Sequence, residues 1–285
     1  MDRTAAGAAM RGCDALVQSA AVYSYQRTDA QRMVEENPRL AASLLGAAGD
    51  AGLTRVVDIS SAVVFRLGLE RVDEAASLAG PGDRGWDDPY LQSKVRAEQV
   101  GRELEAAGLP RVTLHPTMVV GPQDSGPGTS GGVLISLLRG GQQPRGRLGW
   151  VDVRDVAAAA VAALTAAPGT RYVLSIGSRP LSAIAARLDA LTGRSPRRLF
   201  LPPAAVRLAA RLNDLAGGRL APVPSAPAVE YVLEAPSVID GSLATRELGI
   251  DYRDLDETLA DAVRWWAANG IIPPELAGRL VAAPH

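Results

Sequence analysis

The stretch Arg55–Phe65, RVVDISSAVVF, runs from β-branched apolar residues into a pair of serines. The run at 55–60 predicts a core strand. Ser60 and Ser61 then fall at its carboxyl end, where open α/β sheets place ligands and chemistry. Outward from this stretch the same alternation recurs. On its N-terminal side, DALVQSA at 14–20 predicts a buried strand, preceded by a short helix at 4–12 and followed by a helix at 28–49. On its C-terminal side, residues 66–87 are polar and rich in Gly and Pro, which predicts a loop. Asp88 then serves as an N-cap with Pro89 at the first helical position, and the helix runs to about Ala107. RVTLHP at 111–116 and RYVLSI at 171–176 predict two further strands, with a loop at 121–132 and an Ala/Val helix at 153–166. Helical patterns follow at 181–192, 204–215 and 256–268, with a Pro-rich break at 221–227. Strands alternating with helices of this length imply an α/β fold with a largely parallel sheet. The chain divides into a sheet domain, residues 1–177, and a smaller, mostly helical lobe, residues 178–285, with some return to the core.

Composition narrows the function. At 285 residues and a net charge of −1, the chain carries no signature of a nucleic-acid or membrane-surface partner. It holds no run of eighteen apolar residues, and its start, MDRTAAGAAMRG, is too mixed for a signal peptide. One cysteine, Cys13, forms no internal disulfide framework, so a cytoplasmic setting is expected. His115 and His285 are too few and too far apart for a histidine-based zinc site, and no metal is expected.

Lys94 is the one lysine among thirty Lys and Arg residues, and it follows Tyr90 by four. That spacing puts both side chains on one helix face. An ammonium beside a phenol favours phenolate and is expected to lower the tyrosine from about 10, which suits proton transfer near neutral pH. A compact ammonium differs from a planar guanidinium in reach and geometry, a reason for lysine to stand where arginine is the habitual cation. Ser61 is expected beside Tyr90, placed to hydrogen-bond a substrate oxygen. The bland alternatives are a chance pair on an exposed helix and two serines that begin a loop.

Together, GCDALVQSAAVY, RVVDISSAVVF, YLQSKVRAE, LHPTMVVGPQD, GWVDVRDVAAA and SLATRELGIDYRDLDETLADAVRWW resemble the extended short-chain dehydrogenase/reductase family. This is the NAD(P)-dependent epimerase/dehydratase group, which includes dihydroflavonol-reductase-like members. The resemblance implies a Rossmann-like fold, NAD or NADP as cofactor, and hydride transfer at a carbon bearing oxygen. It implies that Tyr90 moves the proton, Ser61 orients the oxygen, and Lys94 tunes Tyr90 and holds the nicotinamide ribose. It places Ala20, Ala21, Pro116 and Thr117 beside the cofactor and Asn37 as support on the helix behind. Gln18, Leu40, Ala41 and His115 depart from the family's usual residues at their positions, and His115 is expected to be a packing or loop residue.

The resemblance also aligns Asp2 with the start of the helix after the family's third strand. The expectation is therefore an N-terminally truncated Rossmann-like sheet, lacking the Gly-rich turn that cradles the pyrophosphate and binding NADH or NADPH weakly. The glycines of GAAGDAG, at 46, 49 and 52, have the right spacing. They follow a helical pattern and precede a strand, the reverse of what the motif needs, and are read as a helix end. An exposed strand edge at 14–20 would favour association or poor solubility, with domain swapping or a homodimer as the repairs open to it. The main reading is an oxidoreductase or epimerase with a small-molecule substrate, impaired by truncation, with a small ketone or aldehyde favoured over a nucleotide-sugar. The rival is a non-catalytic relative acting as a binding protein. Arg145, Arg147, Arg197 and Arg198 are read as solvated surface rather than as a phosphate site.

Overall fold

The computed structural model describes residues 2–23, 29–217 and 225–281. Asp2 caps α1 (Arg3–Ala9), which leads into β1 (Ala15–Gln18). The helix α2 (Ala30–Asp50) runs straight through Pro38 and ends at Gly52, whose φ of 67° closes the turn. Gly46 and Gly49 lie inside α2, so these glycines do form a helix end ahead of a strand, β2 (Arg55–Ile59). A two-residue strand β3 (Arg71–Val72) interrupts the expected loop. The helix α3 (Pro89–Ala106) opens with the Asp88 carboxylate accepting from Leu91 N–H at 3.0 Å. Then come β4 (Arg111–Pro116), β5 (Met118–Val120), α4 (Thr129–Arg139), β6 (Gly141–Pro144), β7 (Arg147–Asp152) and α5 (Val153–Ala162). The remainder is β8 (Arg171–Leu174), β9 (Ser178–Pro180), α6 (Leu181–Thr192), β10 (Arg198–Leu201), α7 (Pro203–Leu215), α8 (Ala226–Leu233), β11 (Val238–Ile239), α9 (Ser242–Leu248), α10 (Leu255–Ala268) and α11 (Pro274–Ala277).

The main sheet is β1-β2-β4-β8, every pair parallel, with Val57 beside Val112 and Leu114 beside Tyr172. Each step along it is bridged by a helix: α2, then α3, then α5. Alternation along β2 divides the core between the two faces. Val56 packs with Leu44, Leu45 and Leu109 on the α2 side, and Val57 with Leu114, Ala159 and Tyr172 on the α5 side. All six residues of β4 are buried, as expected of a central parallel strand. A third cluster gathers Trp150, Leu134, Leu188, Leu259 and Trp266 between the smaller β5-β7-β9 sheet and the C-terminal helices.

Two expectations change. The loop expected at 121–132 gives way to α4 from Thr129. Gly131 sits inside that helix for closeness rather than flexibility: a Cβ there would lie 2.6 Å from Pro127 and 3.0 Å from Trp266. Arg198 is not solvated surface; it pairs with Asp189 at 2.8 Å and donates to the Leu137 carbonyl at 2.8 Å.

Candidate active site

The carboxyl ends of β1, β2 and β4 converge beside the first turns of α3. At β1, the Gln18 carboxamide accepts from Ala20 N–H at 2.5 Å and donates to the Ala20 carbonyl at 3.2 Å, which shapes the turn at Ala20 and Ala21. Asn37, buried on α2, pins that turn. Its oxygen accepts from Val22 N–H at 2.7 Å, and its amide donates to Val22 carbonyl at 3.0 Å and to Ser93 Oγ at 2.9 Å. Ser93 in turn donates to the Tyr90 carbonyl at 2.8 Å. The turn, α2 and α3 are therefore fastened at one point.

At β2, Ser61 leaves the strand in extended backbone and caps a short 3-10 turn, accepting from Val63 N–H at 3.2 Å. Its side chain is near enough to the Tyr90 phenol to favour the phenolate. The Tyr23 ring meets Tyr90 edge-on, with centroids 4.7 Å apart. At β4, Pro116 ends the strand, and the Thr117 N–H and hydroxyl both donate to the Leu174 carbonyl at 3.1 Å. Thr117 therefore spends its donors on the fold and leaves its lone pairs.

The expected lowering of Tyr90 does not occur. Burial, joined by the nearby Tyr23, drives the phenol well above its ordinary value, and the neighbouring Ser61 opposes this only in part. Lys94 does not contribute because its amine reaches back toward β2, donating to the Ile59 carbonyl at 3.5 Å. Burial lowers Lys94 from the usual lysine value, and Asp58 and Glu98 partly restore it. Ala20, Ala21, Ile59, Ser60 and Lys94 share the walls of one small cavity at this point.

Asp58, Glu98 and Arg111 are charged neighbours of the site that the sequence reading did not single out. The signal was present: Asp58 and Arg111 are charges at apolar positions of core strands. His115, buried against Phe65 with centroids 5.0 Å apart, sits on the same strand as Arg111. Further out, Tyr231 of α8 donates to Asp88 at 3.4 Å, and Arg84 pairs with Glu234 at 2.6 Å. These contacts tie the loop before α3 to the C-terminal lobe, around a cavity lined by Trp86, Arg207 and Arg211.

Known proteins share this arrangement of sheet and helices. A model of the NAD dependent epimerase/dehydratase family matches residues 1–177. A protein of Synechocystis sp. named for dihydroflavonol 4-reductase is 30% identical over 276 residues, 92% of this chain and 79% of its own. Sterol demethylase protein B of Methylococcus capsulatus is 27% identical, over 95% of this chain and 84% of its own. A UDP-glucose-4-epimerase of Stenotrophomonas maltophila, solved with bound NAD and formylated UDP-arabinopyranose, superposes with a TM-score of 0.70 at 25% identity. That match covers 95% of this chain and 81% of the epimerase. No described helix is long and apolar enough to cross a membrane. With its parallel Rossmann-like sheet and these relatives, the chain belongs to the NAD dependent epimerase/dehydratase family of enzymes.

Proposed function

We propose that the chain is a nicotinamide-dependent reductase or epimerase in which Ser61, Tyr90 and Lys94 serve hydride transfer at a carbonyl or hydroxyl carbon. The observation that carries this is that Ser61, just past the end of β2, lies near enough to act on the Tyr90 phenol, while Lys94, one helical turn beyond Tyr90, reaches the end of the same strand. It gives a substrate oxygen two hydroxyls at one spot.

The residues around Lys94 fit a ribose. An ammonium has three donors, and among the described residues Lys94 makes a single long hydrogen bond, to Ile59. A diol at the cavity rim would satisfy the others. Ala20 and Ala21, with no side chain beyond Cβ, leave room for it, and Pro116 and Thr117 at the end of β4 are assigned to the nicotinamide side. NAD or NADP, when bound, supplies or accepts the hydride. The chain's own part is proton movement and positioning. In the reductive direction Tyr90 gives its phenolic proton to the oxygen as negative charge develops there. Ser61 donates to the same oxygen and then to the phenolate. Lys94 holds the ribose from the end of β2. Asn37 keeps the β1 turn in place beneath.

The substrate class favoured is a small ketone or aldehyde. Support comes from the relatives named for dihydroflavonol 4-reductase and for a farnesyl dihydroquinoline-oxide ketoreductase. A panel of ketones and aldehydes with deuterated NADH and NADPH tests this. Deuterium is expected at the carbinol carbon of at least one product. Release of product with no label from either cofactor would contradict the proposal.

A further inference from the structure

Behind the Tyr90 helix lies more charge than an apolar core holds without pairing. Asp58 in β2, Arg111 at the start of β4 and Glu98 on α3 are all buried. The Arg111 guanidinium donates to Asp58 at 2.9 Å and to Glu98 at 2.8 Å. His115 Nε2 lies 3.6 Å from the same Glu98 carboxylate. Glu105, 3.5 Å from Arg111, is matched by Arg171 at 3.1 Å. Lys94 precedes Glu98 by four residues on α3, and Lys94, Asp58 and Glu98 share one cavity with the polar side chains of Gln18 and Asn37.

Lys94 and Arg111 face Asp58 and Glu98 on the inner side of α3, Glu98 also accepts from the half-exposed Arg102 at 3.2 Å, and Glu105 is paired with Arg171. Removing either carboxylate would leave Lys94 and Arg111 with one anion fewer between them. Arginine does not deprotonate in proteins, so the relief available is loss of the Lys94 proton. Of the two carboxylates Glu98 is the more firmly ionised. Burial works to raise it, but His115 and Arg111 outweigh burial and hold it well below the usual range. Burial leaves Asp58 raised despite Arg111.

We propose that Glu98 and Asp58 are positioning residues for Lys94: with Arg111 as their fixed counter-ion, they keep the amine ionised at the end of β2. This deepens the proposed function and rests on it for its catalytic meaning. A merely structural role for the cluster would change stability but leave the Lys94 proton where it is.

The sequence makes the test direct, because Lys94 is the one lysine in the chain. Protein grown on lysine labelled with carbon-13 at Cε gives one lysine signal, whose chemical shift reports protonation as pH is raised. In Glu98→Gln and Asp58→Asn, the midpoint is expected to fall by about 1 pH unit or more, with Asp58→Asn shifting further because Asp58 acts on the amine more strongly. A midpoint unmoved or raised in a variant that retains wild-type circular dichroism would overturn the inference. If Glu98→Gln fails to fold, Asp58→Asn decides by itself. The titration needs no cofactor. Failure of wild-type protein to bind NADH or NADPH would therefore count against the proposed function while leaving this result to stand or fall by itself.

Discussion

Tyr90 holds its proton at neutral pH in this geometry, because burial and the Tyr23 ring both penalise phenolate. That suits an acid in the direction of carbonyl reduction. Acting as a base in the reverse direction needs positive charge closer than Lys94 now stands, since its amine points to Ile59. A ribose that accepts from the ammonium can draw it toward the phenol. Arginine at position 94 keeps the charge but replaces a compact head with a planar fork that the cavity walls do not match. Lys94→Arg is expected to reduce turnover about 100-fold, measured as the steady-state rate on a working substrate. A wild-type rate would show that charge alone suffices there. The residue types and their spacing were legible in the sequence: a serine pair ending a strand, and a tyrosine and lysine on one helix face. The direction of the electrostatic effect was not. It depends on how deeply the phenol is buried and on the Tyr23 beside it.

The helix α3 serves two partners at once. Its first turns present Tyr90 and Lys94, and its middle presses on the sheet through Glu98 and Gly101. A Cβ at Gly101 would come 2.5 Å from the Arg111 guanidinium carbon, so the buried arginine occupies the space a side chain would take. Alanine is the better helix former by about 1 kcal/mol, yet Gly101→Ala is expected to destabilise the protein by about 1–3 kcal/mol through overpacking. Urea unfolding followed by circular dichroism measures it, and a gain in stability would contradict the close packing. The start of α3 was readable because Asp88 and Pro89 are local signals with a local cause. The helix α4 was not, because Gly131 and Gly132 look like loop residues in sequence. The contact with Trp266 that requires Gly131 comes from far along the chain.

Across the molecule, the order β1-β2-β4-β8 follows from strands separated by helices, which is why the parallel sheet could be anticipated. The smaller pairings could not. The strands β3 and β11 are two residues each, and β6, β9 and β10 are three or four, too short to show a period. The β5-β7-β9 sheet also draws its partners from both sides of residue 177. What the assembled molecule adds is convergence. The β1 turn held by Asn37, the end of β2 with Ser60, and Lys94 and Glu98 of α3 line one cavity, at the strand ends where an α/β enzyme places its chemistry. The account stands on Tyr90 as the proton carrier at that point, and Tyr90→Phe tests it most directly by removing one oxygen. Turnover should fall by about 100-fold or more, while NADH or NADPH affinity, read by fluorescence titration, stays at the wild-type value. Turnover at the wild-type rate in Tyr90→Phe would contradict the account.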